Sequence, residues 1–250
     1  MKPKRRLKKK VKEFLCLVLC SSLLVFLIVL IFYSTGEEQT EEEMVSVISN
    51  SIKQEITPKT SQQLVVVIDP ACGEGDKGVT TKDGYAEKDF TLQVAKLLQE
   101  KISEPDIKVY FTRTDDKELA KEERLQFVQE TDADLYLQIG VSVDEDTAKY
   151  GIQGYYNEKY VIPEFGNAEW ADRVVQKVTL AVGNRGISLE NAKADSILRQ
   201  LEIPAAQVNL GFFSNSQEAL LMQQEDYQHK LAQGIADAIY EIYTEKNVIG

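Results

Sequence analysis

The chain has 250 residues, with 29 lysines and arginines, 40 aspartates and glutamates, and a formal net charge of −11. Eight of the basic residues lie within residues 1–13, so residues 14–250 carry 21 bases against 39 acids, a balance of −18. Because nucleic-acid binding requires clustered positive charge, this composition excludes nucleic acid as a partner of the folded part. One histidine and three cysteines also exclude a two-histidine site, a four-cysteine zinc site and a disulfide scaffold.

The first predicted element is a membrane-spanning helix. Residues 14–33 form a run of 20 residues without a charge, which is about the length that crosses the hydrocarbon core of a bilayer. The basic tail at residues 1–13 precedes this run and predicts a cytoplasmic N-terminus. A cleavable signal peptide is the alternative, but its apolar region is shorter, roughly 7–15 residues. The pattern therefore predicts a single-pass anchor in the cytoplasmic membrane, with the C-terminal domain extracytoplasmic.

The rest of the chain divides into a stalk and one domain. Residues 34–63 are polar and acidic, and they are predicted to form a spacer with a short helix around residues 44–52. From residue 64 onward, short β-branched runs alternate with segments that have helical periodicity. Strands are predicted at residues 64–68, 107–112, 133–143, 151–157, 196–198 and 204–210. Helices are predicted at residues 87–102, 117–130, 167–182, 217–224 and 227–243.

This alternation predicts the fold class and the place of a site. Strands that alternate with helices favour a single α/β domain, residues 64–250, with a mainly parallel twisted sheet flanked by helices on both faces. In such sheets, sites lie beyond the carboxyl ends of the strands. The loops expected to form a site are residues 69–78, 139–146 and 209–215.

Four blocks of this domain resemble the zinc-dependent N-acetylmuramoyl-L-alanine amidases of bacterial cell walls, the type-3 amidase family. VVVIDPACGEGDKG, from residue 65, resembles the family's first strand and glycine-rich loop, and GYAEKDF, from residue 84, resembles its first helix start. VYFTRTDD and ERLQFVQETDADLYLQIG resemble its Thr-Arg segment and third strand, and IPAAQVNLGFFSN resembles its last block. The resemblance covers most of residues 64–243.

The resemblance implies a set of site positions at which this chain departs from the family. There, zinc is held by a histidine in the first loop, a glutamate at the first helix start and a histidine after the third strand, and a glutamate in the last block is the general base. Only the first glutamate is present here, as Glu87. Cys72 and Gly140 stand at the two histidine positions, and Asn209 stands at the general-base position. Glycine has no side chain to bind a metal, and an amide does not take up a proton near neutral pH.

A rebuilt metal site is the alternative that the residues leave open. Cys72 and Glu87 are possible zinc ligands, but such a site needs a third donor. That donor would come from one of four acids: Asp69, Glu74, Asp76 or Asp144.

A ligand groove is also predicted at these strand ends. Its candidate residues are Asp69, Tyr85 and Asn209, with Tyr155 and Tyr156 nearby. Asp69 is retained from the family, and its alternative role is structural.

These patterns predict an N-acetylmuramoyl-L-alanine amidase-like domain that is catalytically inactive and holds no cofactor. Its expected partners are peptidoglycan, or a cell-wall enzyme or morphogenesis protein, and its expected role is binding or regulation in cell-wall remodelling. The membrane is a further partner through residues 14–33. The alternative is an active peptidoglycan amidase that hydrolyses the amide bond between glycan and stem peptide with zinc in a rebuilt site. A structural spacer is a third possibility.

Overall fold

The computed structural model describes residues 63–159, 165–183 and 186–249. The predicted anchor at residues 14–33 and almost all of the predicted stalk lie outside these residues. Within the described part of the chain, no helix has the length and the apolar character needed to cross a bilayer.

Six strands and five helices are found in the described residues. The strands are β1 (Leu64–Pro70), β2 (Ile107–Phe111), β3 (Leu135–Ser142), β4 (Ile152–Tyr156), β5 (Ile187–Asn191) and β6 (Ala205–Phe212). The helices are α1 (Glu87–Lys101), α2 (Lys121–Glu130), α3 (Asn167–Val182), α4 (Ser216–Met222) and α5 (Glu225–Ile249). The five helices predicted from residue 64 onward are each confirmed, and so are five of the six predicted strands. The short helix predicted around residues 44–52 lies outside the described residues.

The predicted strand at residues 196–198 is wrong, and one strand was not predicted. Ile197–Arg199 forms a short 3-10 helix, in which the Ser196 hydroxyl accepts the N–H of Leu198 at 3.3 Å and so caps the turn. β5 escaped prediction because it lies at the edge of the sheet. Four of its five residues are exposed, so its sequence lacks the apolar run of a buried strand.

The six strands form one mixed sheet in the order β2-β1-β3-β6-β4-β5. Four of the five neighbouring pairs are parallel, and only β4 and β6 are antiparallel. The predicted α/β class is therefore confirmed, with β4 and β5 running opposite to the other four strands. β1, β3 and β6 lie at the centre, which explains why their sequences are apolar on both faces.

Helices cover both faces of the sheet, as predicted. On one face, Val66 and Ile68 of β1 pack in a core built with α1, α3 and α5. On the other face, Val67 packs in a smaller core with Val128 of α2 and Leu198 of the 3-10 helix. Successive residues of β1 enter different cores because the side chains of a strand point alternately to its two faces.

A fully buried carboxylate lies at the end of β1. Asp69 has no exposed surface, and the Arg124 guanidinium donates to its Oδ1. The hydroxyls of Thr112 and Tyr136 also donate to Asp69, and Gln138 Nε2 donates to its Oδ2 at 2.8 Å. Because every side of this carboxylate is hydrogen-bonded, its burial is tolerated.

Two buried arginines hold the backbone that follows β1. Arg113 donates from Nε to the carbonyl of Pro70 at 3.0 Å and from Nη2 to the carbonyl of Ala71 at 2.8 Å. Arg124 donates from Nη1 to the carbonyl of Pro70 at 3.3 Å and from Nη2 to the carbonyl of Cys72 at 3.2 Å. These bonds hold Cys72 in the left-handed backbone region, with φ of 66°.

We expect Arg124→Ala to lower the free energy of unfolding by roughly 3–5 kcal/mol, because it leaves the Asp69 charge buried without its partner. Chemical denaturation of the full-length chain measures this change. The matched control is Arg173→Ala, which removes a half-exposed ion pair between α3 and Glu245 and should cost at most about 1 kcal/mol. Equal losses in the two variants would contradict a structural role for the buried pair.

Candidate active site

The strand ends that were predicted to form a site lie side by side. β1, β3 and β6 are adjacent and parallel, so their carboxyl ends reach the same edge of the sheet. Gly140 of β3 is the register partner of Asn209 of β6. On its other side, Asn209 is the register partner of Gln153 of β4. Gly140 and Asn209, two of the three positions at which this chain departs from the residues implied by the resemblance, are therefore direct neighbours in the sheet.

Glu87 lies against this edge at the first turn of α1. Its Oε2 accepts the N–H of Val79 at 3.1 Å, and its Oε1 accepts the N–H of Val141 at 3.1 Å. A Cβ added at Gly140 would lie 3.3 Å from Glu87 Oε1 and 2.7 Å from Asn209 Oδ1. Glu87 thus borders the space beside Gly140 and also joins the first loop to the end of β3.

Cys72 completes this cluster from the first loop. A Cβ added at Gly78 would lie 2.6 Å from Cys72 Sγ and 2.4 Å from Glu87 Oε2, so a glycine is required between the two side chains. Gly78 also has a φ of 64°, a backbone conformation that glycine adopts without strain. The structure therefore brings together Cys72, Glu87, Gly140 and Asn209, which are far apart in the sequence.

Burial controls the protonation of the cluster. It is the main cause that raises the pKa of Glu87. The hydrogen bonds from the N–H groups of Val79 and Val141 and from the Cys72 thiol lower this pKa, but by less. Burial also raises the pKa of Cys72, and the negative charges of Glu87 and Asp76 add to this effect. Cys72 is therefore a neutral thiol near pH 7, whereas the thiolate is the form that attacks electrophiles and binds metals.

Asn209 uses both ends of its amide within the protein. Its Oδ1 accepts Gln207 Nε2 at 2.8 Å, and its Nδ2 donates to Ser142 Oγ at 2.9 Å. Ser142 Oγ in turn donates to Gln153 Oε1. A carboxylate at position 209 would accept the first bond but could not donate the second one. The amide is therefore matched to its surroundings.

A groove of about 440 Å³ runs over the face of the sheet on which α2 packs. The residues that line it include Cys72, Asp76, Arg124, Gln138, Tyr155, Ala192, Lys193, Asp195, Ser196, Ile197, Gln207 and Asn209. Of the three groove candidates, only Asn209 therefore lies in the groove.

The other two candidates lie elsewhere for identifiable reasons. Asp69 is beneath the groove floor, where its carboxylate is enclosed by hydrogen-bond donors. Tyr85 lies on the opposite side of the sheet and packs against the rings of Phe90 and Phe213, with centroid distances of 6.5 and 6.1 Å. Tyr156 likewise packs against the larger core, whereas Tyr155 points into the groove.

The acids considered as a third metal ligand are scattered. Asp76 is the only one of the four that lines the groove next to Cys72. Glu74 is exposed, and Asp144 is paired with Lys149 at 2.7 Å. Among the described residues, no group of three or more His, Cys, Asp and Glu side chains has an arrangement suited to a metal ion.

Sequence reasoning missed the glutamines of the groove. Gln138 and Gln207 lie within strands that were read as buried and apolar, in the segments LYLQIGVS and AAQVNLGF. A single amide inside an apolar strand was the available signal, because buried polar side chains need a partner or a ligand.

Comparison with known proteins identifies the family. A family model described as N-acetylmuramoyl-L-alanine amidase matches residues 66–241. A Staphylococcus aureus protein named "Probable cell wall amidase LytH" is 31% identical over 180 residues, which cover 71% of this chain and 58% of that protein. The chain therefore belongs to the N-acetylmuramoyl-L-alanine amidase family, and it matches 58% of the length of this curated relative.

Solved structures agree with this assignment. An N-acetylmuramoyl-L-alanine amidase from Clostridium difficile 630 is 29% identical, with a TM-score of 0.67, and the match covers 72% of this chain and 97% of that one. The catalytic domain of the amidase CwlV from Paenibacillus polymyxa is 28% identical, with a TM-score of 0.64, and the match covers 72% and 98% of the two chains. The α/β domain described above is therefore an amidase fold.

Glu87→Ala tests whether this glutamate is a structural residue. We expect the free energy of unfolding to fall by roughly 1–3 kcal/mol, because the N–H groups of Val79 and Val141 lose their acceptor. Glu122→Ala is the matched control, since Glu122 occupies the first turn of α2 and is exposed. Its effect should stay within about 0.5 kcal/mol. A Glu87 variant as stable as this control would contradict the structural role.

Proposed function

We propose that this chain is a membrane-anchored, extracytoplasmic member of the amidase family that binds peptidoglycan or regulates wall remodelling without hydrolysing the amide bond. The anchor is residues 14–33, and the predicted topology places the N-terminus in the cytoplasm. The observation that carries the proposal is the cluster of Cys72, Glu87, Gly140 and Asn209. In this cluster, the carboxylate of Glu87 and the amide of Asn209 already form hydrogen bonds within the protein.

The donor set is a poor match to a hydrolytic zinc site. Three protein ligands are the usual requirement, and two of the positions expected to supply them are a glycine and a neutral thiol. The third, Glu87, has one backbone N–H on each carboxylate oxygen. We therefore propose that no catalytic zinc is held here.

The base position points to the same conclusion. A general base must take a proton from the attacking water, and an amide does not do so near neutral pH. Asn209 also has both ends hydrogen-bonded, to Gln207 and Ser142, so its amide is a structural part of the groove.

Membership of the family supports peptidoglycan as the ligand. The groove includes the carboxyl-end residues Cys72 and Asn209, and amide, hydroxyl and aromatic side chains line it. The acidic balance of the chain argues against simple electrostatic adhesion to anionic wall polymers, because like charges repel. A wall enzyme or a morphogenesis protein is the alternative partner for the same surface.

One observation favours the second candidate, an active amidase with a rebuilt metal site. Asp76 interacts with Cys72, and Cys72 interacts with Glu87. An active site would require these three side chains to rearrange, because among the described residues no such group is arranged to hold a metal ion. Zinc would have to deprotonate the thiol and displace the hydrogen bonds made by Glu87.

Metal content and turnover separate the two candidates. We expect the full-length chain, purified in detergent with added zinc, to hold only substoichiometric metal, because the donors are incomplete and internally bonded. It should also release no stem peptide from muropeptides. Elemental analysis and chromatography measure the two quantities. One zinc per chain, with peptide release that Glu87→Ala abolishes, would establish the active amidase instead.

A restored variant is the control for these assays. Cys72→His, Gly140→His and Asn209→Glu together reinstate the residue types that the family resemblance implies. A histidine is acceptable at the left-handed backbone of position 72, but a side chain at position 140 must displace the Asn209 amide, which the third substitution removes. Zinc and activity in this variant show that both assays detect a working site. Their absence shows that the backbone has diverged as well.

Binding to the wall is the positive prediction. We expect the full-length chain to co-sediment with purified sacculi, and to bind less to sacculi from which an active amidase has removed the stem peptides. Soluble muropeptide should compete with this binding. Failure to sediment, together with no wall protein recovered by cross-linking, would refute the proposed function.

A further inference from the structure

A row of polar side chains crosses the sheet beneath the groove. The register aligns one residue from each of five neighbouring strands: Asp69, Gln138, Gln207, Tyr155 and Glu190. Rows of this kind lie on one face of a sheet, because alternate residues of a strand point to the same side. The middle three of these side chains form the floor of the groove.

The protein holds both glutamine amides of this floor in one orientation. Gln138 Nε2 donates to Asp69 Oδ2 at 2.8 Å, and a carboxylate can only accept. Gln207 Nε2 donates to Asn209 Oδ1 at 2.8 Å, and Asn209 is itself oriented because its Nδ2 donates to Ser142. In both glutamines, one N–H is therefore used internally and the carbonyl oxygen is directed away from that bond.

The remaining groups of the two amides are available to a ligand. Within the described part of the chain, neither Gln138 Oε1 nor Gln207 Oε1 accepts a hydrogen bond, although both residues are half-buried. Each Nε2 also keeps a second hydrogen. Since the two residues are register partners on adjacent strands, their amides repeat at about the 4.8 Å strand spacing.

We propose that this floor binds the amide groups of an amide-bearing chain, such as a stem peptide with its N-acetylated sugar, through Gln138 and Gln207, and that Asn209 is a positioning residue for Gln207. The inference rests on the proposed function, and it specifies which chemical group of the wall fragment is recognised. An amide ligand offers one donor and one acceptor, which complement the free carbonyl and the free N–H of each glutamine.

The same geometry disfavours an anion on the floor. A carboxylate or phosphate would approach two glutamine carbonyl oxygens, with the buried Asp69 carboxylate below them. An unmatched polar group in a half-buried site loses the energy of its hydration. Lys121 and Lys193 also line the groove, so anionic groups of a ligand find partners there instead.

The position expected for a general base therefore has a different task in this chain. The Asn209 Nδ2 group donates to Ser142, which a carboxylate at this position could not do. This bond leaves Asn209 Oδ1 facing Gln207, so Gln207 must turn its own N–H group toward Asn209. Substitution of an acid by an amide removes proton transfer and at the same time orients a binding group.

Ester analogues of a ligand test the proposal directly. The full-length chain in detergent is titrated by calorimetry with a soluble disaccharide-tetrapeptide, and with analogues in which one stem amide at a time is replaced by an ester. An ester keeps the carbonyl but lacks the N–H. We expect at least one ester to bind about tenfold more weakly to the wild type, the usual effect of one lost hydrogen bond.

Variants of the floor should abolish this discrimination. Gln207→Leu and Gln207→Glu are expected to bind the amide and the ester that faces position 207 within about twofold of one another, since the acceptor for that ligand N–H is gone or misplaced. Gln138→Leu is expected to do the same for the ester that faces position 138. Asn209→Leu should have the same effect on the ester that faces position 207, because the Gln207 amide loses the acceptor that orients it. The matched control is Gln233→Leu on α5, which removes a glutamine bonded to Asp237 far from the groove and should retain the tenfold preference. Thermal unfolding verifies that each variant is folded.

The outcomes distinguish the two proposals. Binding of muropeptide with no ester effect, or with a full ester effect in folded Gln207→Leu and Gln138→Leu, overturns the amide floor and leaves the proposed function intact. Binding of neither sacculi nor muropeptide overturns both.

Discussion

The buried pair of Asp69 and Arg124 is the interaction on which the rest of the site depends. The carboxylate ends the central strand β1, and the guanidinium reaches past it to the carbonyls of Pro70 and Cys72. An ion pair buried to this degree is retained only when its remaining hydrogen-bonding capacity is satisfied, as it is here by Thr112 and neighbouring side chains. The first loop is therefore positioned by the interior of the protein, and it presents Cys72 to the groove.

The proposed function depends on side chains whose chemistry differs from that implied by the family resemblance. The strand ends of this chain bring together residues from the first loop, α1, β3 and β6. What differs is the chemistry of the groups that converge. Glu87 joins two backbone segments, Cys72 is a neutral thiol, and Asn209 belongs to a hydrogen-bonded chain of amides and hydroxyls. Membership of a family thus establishes the scaffold, while activity depends on particular side chains.

Most of the fold was predictable, because the central strands and the long helices have strong periodicity. β1 and α3 were located closely for this reason. β5 was missed, since an exposed edge strand has neither an apolar run nor helical spacing. The direction of β4 was also beyond prediction, because the connection from β3 allows either orientation. Within the site, the burial of Asp69 and the packing of Tyr85 against Phe90 were also beyond prediction, since a polar residue at a strand end reveals neither its depth nor the face on which it lies.

The amino-acid sequence by itself determined the local matters: which segments are helix or strand, and which chemical groups stand at positions 72, 140 and 209. These follow from short-range periodicity and from residue identity. Only the tertiary structure decided that Gln207, Asn209 and Ser142 form one hydrogen-bonded chain, and that Gln138 lies beside Gln207 on the groove floor. The contact between Asn209 and Ser142 joins residues 67 positions apart, and the pairing of Gln138 with Gln207 is also distant in the sequence. These contacts depend on strand order and register, where a shift of one residue would turn each of these side chains to the opposite face.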